Sequence, residues 1–185
     1  MSDAIEIRPM AVTDLPLVRA HLTNGGTAKH ADRLARQVRG ETVYLIAWQG
    51  ARPVGHALLK WEGAADVSAP QRLGGPCPDV EDLWVAEDLR GQLLGSRLLQ
   101  AAEELAQASG CPWIGLSVGV VPPSAARRLY ERLGYRDAGF GLHVERDEYV
   151  DEAGETRVWQ ETCIYLVKAL PSSGEPVQER GGPPV

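Results

Sequence analysis

No apolar run in this chain reaches the ~20 residues that cross a bilayer as a helix. The N-terminus, Met1-Ser2-Asp3-Ala4, has no basic region followed by a hydrophobic stretch, so neither an export signal nor a membrane anchor is expected. Excess positive charge is also missing. The formal net charge is -6 over 185 residues, which argues against broad nucleic-acid binding and leaves room only for a small local basic site. Cysteine is scarce: Cys77, Cys111 and Cys163 are odd in number, widely separated and without a CxxC pair. With only four histidines beside them, no metal-ligand cluster is expected. Unpaired thiols predict a reduced, cytoplasmic protein.

What remains is ordinary globular material, with 44% hydrophobic and 24% charged residues. A chain of this length supports one core, so residues 1–170 are expected to form a single domain. From Pro171 the composition shifts to Ser172, Ser173, Gly174 and Pro176 and ends in Gly181-Gly182-Pro183-Pro184. Too little apolar surface is present there to order the chain, and residues 171–185 are expected to be a disordered tail.

Ile5-Glu6-Ile7-Arg8-Pro9 alternates and stops at proline, a first strand. Asp14 and Pro16 open a helix running to the Asn24-Gly25-Gly26 break, and a second helix is predicted from Ala28 to Val38. Strands at Thr42 to Trp48 and Pro53 to Trp61 flank a turn at Gln49-Gly50-Ala51-Arg52. Gly63 to Pro78 reads as a long loop, and long loops in compact domains are frequently functional. Further strands are predicted at Val80 to Val85 and Trp113 to Val118, with a helix between them from Leu94 to about Ser109. Ser124 caps a short helix closed by Gly134. Phe140 to Val150 and Thr156 to Lys168 form a last strand pair. The interleaving predicts an α/β fold, a mixed central sheet of about seven strands flanked by about four helices.

The most informative segment runs from Glu81 to Leu99. A strand ends in a turn, and a glycine-bearing loop, Arg90-Gly91-Gln92-Leu93-Leu94-Gly95-Ser96-Arg97, opens the long helix. Free backbone N–H groups at a helix start, with Arg90 and Arg97 nearby, suit a diphosphate. Glu81, on the strand before it, is within reach of what such an anion carries and can act as a general base. Its neighbour Asp82 should point to the opposite face of the strand. An anchored diphosphate beside a base suggests group transfer.

Two segments then carry a resemblance. The loop at 90–96 is similar to the cofactor motif Gln/Arg-x-x-Gly-x-Gly/Ala of the GNAT family of N-acetyltransferases. Ala126-Arg127-Arg128-Leu129-Tyr130-Glu131-Arg132-Leu133-Gly134-Tyr135 resembles that family's second motif, a helix with a tyrosine before a Gly-Phe/Tyr turn. The order of elements agrees over the whole expected domain. The resemblance implies acetyl-CoA as co-substrate, with Gln92 to Ser96 facing its pyrophosphate and the strand end at Leu83, Trp84 and Val85 beside its pantetheine arm. It also implies Tyr130 as the acid that protonates the departing thiolate. Leu93 stands where the family has its first motif glycine and keeps the loop intact only if its φ is negative. Pro123 stands where an asparagine is frequent.

Other residues read as structural: His56 as a satisfied strand histidine, Cys111 and Cys163 as packing, and Arg127, Arg128 and Arg132 with Glu131 as a solvated helix face. The acidic run Glu145, Asp147, Glu148, Asp151, Glu152, Glu155 and Glu161 reads as a solvated hairpin that attracts a cationic amine if part of it lines the cleft. The expectation is direct transfer of acetyl from acetyl-CoA to a primary amine, on a small molecule or on a protein N-terminus or lysine. Nucleic acid and membrane are not expected partners, and the C-terminal strands are the candidate surface for a homodimer. The alternative is an acyl-CoA-binding sensor or interaction module with little catalysis.

Overall fold

A computed structural model describes residues 4–24, 26–121, 125–150 and 154–171. Pro123, Ser124, Asp151, Glu152 and the tail beyond Pro171 therefore lie outside the described residues. Strand β1 (Ile5–Pro9) leads through a 3-10 turn into α1 (Leu15–His21) and α2 (Ala28–Val38). The hairpin β2 (Thr42–Gln49) and β3 (Arg52–Lys60) follows, then α3 (Ala69–Leu73) and β4 (Asp79–Val85). Helix α4 (Leu94–Ala108), β5 (Trp113–Gly119) and α5 (Ala125–Arg132) precede β6 (Arg136–Asp137), β7 (His143–Val150) and β8 (Thr156–Ala169). The eight-stranded sheet has the order β1-β2-β3-β4-β5-β8-β6, and β7 pairs with the N-terminal part of β8. Every neighbouring pair is antiparallel except β4 with β5.

The predicted helix at Ala28 to Val38 is present with those bounds, and the other predicted strands and helices lie within a few residues of their expected places. Two elements were not expected. The segment from Gly63 to Pro78 is not a continuous loop, because Ala64, Val67 and Ala69 are buried with Cys77 and Tyr165 in a small satellite core, and that burial folds 69–73 into α3. The two-residue β6 exists only by pairing with Val167 and Leu166 of β8.

Alternation in the strands divides the apolar residues between two faces. On one face, Leu45, Leu59, Val80, Ile114 and Leu116 pack with Leu94, Leu98 and Leu99 of α4 and Tyr130 of α5. On the other, Tyr44, Ile46, Trp48 and Leu58 pack with Val18 and Leu22 of the α1 region and Leu34 of α2. Between the faces the sheet opens. The one register pair joining β4 to β5 is Asp79 with Gly115, where Gly115 N–H donates to Pro78 O at 3.0 Å. Beyond that pair the two parallel strands diverge.

Candidate active site

The gap between β4 and β5 is the centre of the candidate site. Its root is Asp79, a fully buried carboxyl that accepts a hydrogen bond from Tyr165 Oη at 3.0 Å. Tyr165 can lie there because Gly115 has no side chain; a Cβ at Gly115 would overlap the tyrosine ring. Burial, reinforced by the charge of Glu81, pushes the Asp79 carboxyl up to about 8 against the pull of Lys60 and the tyrosine bond.

Two residues along β4, Glu81 faces the α1–α2 side. Its Oε1 receives Lys60 Nζ at 2.6 Å, and the carboxylate is 39% exposed, so it is both anchored and accessible. Asp82 does not point the other way. Two β4 residues, 82 and 83, oppose the single Ala57 of β3, a β-bulge in which Asp82 takes φ +46°. The extra residue breaks the alternation and turns Asp82 to the same face as Glu81. There its Oδ2 meets Lys29 Nζ and Arg33 Nη1 of α2, each at 2.8 Å, and lies 3.9 Å from His56 Nδ1. Burial would raise this carboxyl, but His56, Arg33 and Lys29 outweigh it and hold it well below the usual range. His56 is fully buried and stacks on Trp84, and burial pushes its pKa down to about 3.

The loop expected to hold the diphosphate is built from local rules. Gly91 has φ +76°, and the first backbone bond entering α4 runs from Arg97 N–H to Leu93 O at 3.0 Å. The N–H groups of 92–96 therefore lack backbone partners among the described residues, as the first turn of any helix does. Leu93 caps α4 in the left-handed region, φ +63°, with its side chain 72% exposed. The condition of negative φ is not met: the loop keeps its glycine-type shape and the leucine bears the strain. Gly95 lies on the inner side, where Leu129 of α5 and Leu83 of β4 converge within 3.4 and 3.9 Å of the place a Cβ would occupy. A bare α4 start, an open gap and a small residue between them suit a thin arm ending in a diphosphate.

The arginines contribute unequally. Arg90 Nε donates to Val85 O at 3.2 Å, which holds it at the loop. Arg97 is instead turned toward β1, where its guanidinium donates to Ile5 O at 2.8 Å. Gln92 donates to Asp88 O at 3.4 Å. Tyr130, on α5, is 8% exposed beside Tyr135, and burial pushes its hydroxyl up to about 12. Tyr130 belongs to the α4 face, and Glu81, by alternation with the buried Val80, to the opposite one, with the parting of β4 and β5 between them.

Sequence reasoning missed the far bank of the gap. On β5, Gly115, Ser117 and Gly119 share the face of Asp79 and Glu81. Ser117 Oγ lies 2.9 Å from His143 Nε2 of β7, and Glu145 Oε1 is 3.8 Å from the same nitrogen. The alternation Gly-x-Ser-x-Gly in an apolar strand, and His-x-Glu-x-Asp in the next-but-one, were the available signals.

The family model described as "Acetyltransferase (GNAT) family" matches residues 17–135. The chain belongs to this family. As a GNAT acetyltransferase it uses acetyl-CoA as co-substrate and catalyses acetyl transfer. No curated protein sequence matches it. Among solved structures it is similar to the ribosomal-protein-S18-alanine N-acetyltransferase from Escherichia coli, at 20% identity and TM-score 0.61, covering 93% of this chain and 97% of that one. The PaiA N-acetyltransferase from Thermoplasma acidophilum, solved in complex with coenzyme A, is 14% identical with TM-score 0.61, covering 90% and 99%. A mosquito arylalkylamine N-acetyltransferase-like protein is 19% identical with TM-score 0.63, covering 90% and 100%. At these identities the structural likeness shows the fold. The loop at 90–96, Gly95 and the gap fit the co-substrate of this GNAT acetyltransferase.

Proposed function

We propose that this acetyltransferase moves acetyl from acetyl-CoA to a primary amine that arrives as a cation, by direct attack with both substrates bound. The observation that supports it most is the arrangement around the gap. Glu81 and Ser117 flank it on one face, and Tyr130 packs on the other. The thioester would enter from the α4 side and the amine from the α1–α2 side. Glu81 takes a proton from the amine, and Lys60 holds the carboxylate in place. Backbone N–H groups at the bulge in β4 face developing charge on the thioester oxygen. Tyr130, whose raised pKa keeps its proton in place, protonates the departing sulfur.

The cationic acceptor follows from charge. Glu145 faces the cleft from β7, and Asp147 is close enough to act on Lys29 of α2. Structural neighbours include a ribosomal-protein-alanine acetyltransferase and an arylalkylamine acetyltransferase-like protein, so polypeptide and small-amine acceptors both occur on this fold. The three cysteines are free and buried, which suits a reducing, cytoplasmic setting. No helix among the described residues is long and apolar enough to cross a membrane.

The test has two stages. Acetyl-CoA at about a hundred times its dissociation constant adds roughly 2.7 kcal/mol of stability, a rise of about 5–10 °C in Tm for a domain of this size. Free thiol should then appear when primary amines are added. Tyr130→Phe should keep the rise in Tm and lose about 100-fold in kcat. Stabilisation without thiol release from any amine would instead establish an acyl-CoA-binding sensor, and full turnover by Tyr130→Phe would remove the tyrosine from the chemistry.

A further inference from the structure

A cationic amine has two protons to lose, and one carboxylate is a single acceptor. The first leaves the ammonium so that the nitrogen lone pair can attack the thioester carbon. The second leaves after the N–C bond forms, when the nitrogen is again positive. The C–S bond then breaks, its electron pair goes to sulfur, and Tyr130 supplies the proton that makes the thiol. In sum, an ammonium and a thioester give an amide, a thiol and one proton released to solvent. Glu81 already holds Lys60 with one oxygen and can keep only one of these protons at a time.

Across the gap stands a second acceptor. We propose that Ser117 and His143 together take the other proton, Ser117 Oγ meeting the amine nitrogen and passing its own hydrogen to His143 Nε2. This rests on the amine-acetylating reading above. Asp79 pairs with Gly115, and strand alternation puts Glu81 and Ser117, each two residues further along its strand, on the same face of the sheet. The 2.9 Å contact to Nε2 makes the hydroxyl a relay, and the imidazolium formed lies 3.8 Å from Glu145 Oε1. With Nε2 as the acceptor, Nδ1 carries the ring hydrogen and is buried without a hydrogen-bond partner among the described residues. An unsatisfied buried polar atom costs stability, so its presence in a native structure needs an explanation, of which a catalytic role is one.

The charged and titratable groups around the ring come from every neighbouring strand. Glu145 shares β7 with it, and Cys163 is its partner across β8, where Glu161 pairs with Glu145. The Glu161 side chain lies over Gly119 of β5, where a Cβ would overlap it. Asp79 and Glu81 are on β4, and the charge of Glu145 reaches Asp79. A second 3-10 turn, Ala65–Val67, packs against β7 and carries the exposed Asp66, and Lys29 of α2 feels Asp147. Lys29 and Lys60 are committed to Asp82 and Glu81, so carboxylates dominate the ring's surroundings.

The experiment is kcat/KM against pH from 5 to 9, by thiol release from acetyl-CoA with spermidine, phenethylamine and an alanine-initiated peptide as acceptors. Histidine is the side chain that changes charge in this range. His143→Gln and Ser117→Ala should each lower kcat about 100-fold with little change in KM, and should alter the acid limb of the profile. The double variant should be no worse than either single one, because the two act as a unit. Ser117→Thr, which keeps the hydroxyl, should restore the rate. Stabilisation by acetyl-CoA reports that each variant is folded. No thiol release by the unaltered protein with any of the amines overturns the acetylating reading and this proposal with it. Turnover by the unaltered protein that His143→Gln matches, with the same pH profile, overturns this proposal alone. Loss of acetyl-CoA binding in both His143→Gln and Ser117→Ala would make the pair structural and also overturn it.

Discussion

Leu93 is the residue at which sequence and geometry disagree most openly. A non-glycine residue in the left-handed region costs about 1–2 kcal/mol, because Cβ crowds the following carbonyl. Its side chain is largely exposed, so no packing recovers that cost. Leu93→Gly removes the strain and adds back about 0.5–1 kcal/mol of unfolded-state freedom. The expected result is a stabilisation of about 0.5–1 kcal/mol, read as a Tm higher by about 1–4 °C, with acetyl-CoA binding as tight or tighter. A lower Tm would mean that the exposed leucine makes a favourable contact that outweighs its torsion.

At the scale of elements, the bulge in β4 does more than redirect one side chain. It brings Asp82 to α2, and the two ion pairs with Lys29 and Arg33 fasten that helix over the face that carries Glu81. Strain at φ +46° is held by these pairs, and the pairs exist because of the bulge. Asp82→Asn keeps the shape and removes the charge that Lys29 and Arg33 face. Leaving a partly buried cation unpaired is destabilising. Backbone amides of residues 28–38 should therefore exchange with solvent faster in this variant while those of α4 do not change, and equal protection in α2 would show that apolar packing alone holds the helix.

Across the whole molecule, two buried groups set opposite pH slopes. Asp79 keeps its proton in the fold up to about pH 8, while the unfolded chain loses it near the ordinary carboxyl value of about 3.9. Its contribution is therefore complete below that value and declines as pH rises toward 8. His56 stays neutral down to about 3, while in the unfolded chain it gains a proton below about 6.5. Its contribution is present above 6.5 and is lost as pH falls toward 3. Between pH 4 and 6.5 the two oppose each other, and between 6.5 and 8 only the Asp79 loss remains. Thermal melts should show the protein losing stability from pH 6.5 to 8, and Asp79→Asn should flatten that decline. An unchanged decline in the variant would place the titration elsewhere.

The periodicity and turn signals of the chain, read alone, determined nearly all the elements and the place where the glycine-bearing loop opens α4. A left-handed glycine, a free helix start and an amphipathic stripe are local properties, written in neighbouring residues. Glu81 and Tyr130 were legible as candidates for the same reason, each lying in a short motif. The cross-strand contacts of the candidate site were decided by tertiary structure. Ser117 and His143 are 26 positions apart, and Lys60 and Glu81 are 21 apart; each pair meets only because strands align in register. The facing of Asp82 was misread because alternation assumes an unbroken ladder, and a bulge depends on how a neighbouring strand pairs. Likewise α3 formed where apolar residues of a loop-like segment found Tyr165 to bury against, a contact that lies about 90 positions along the chain.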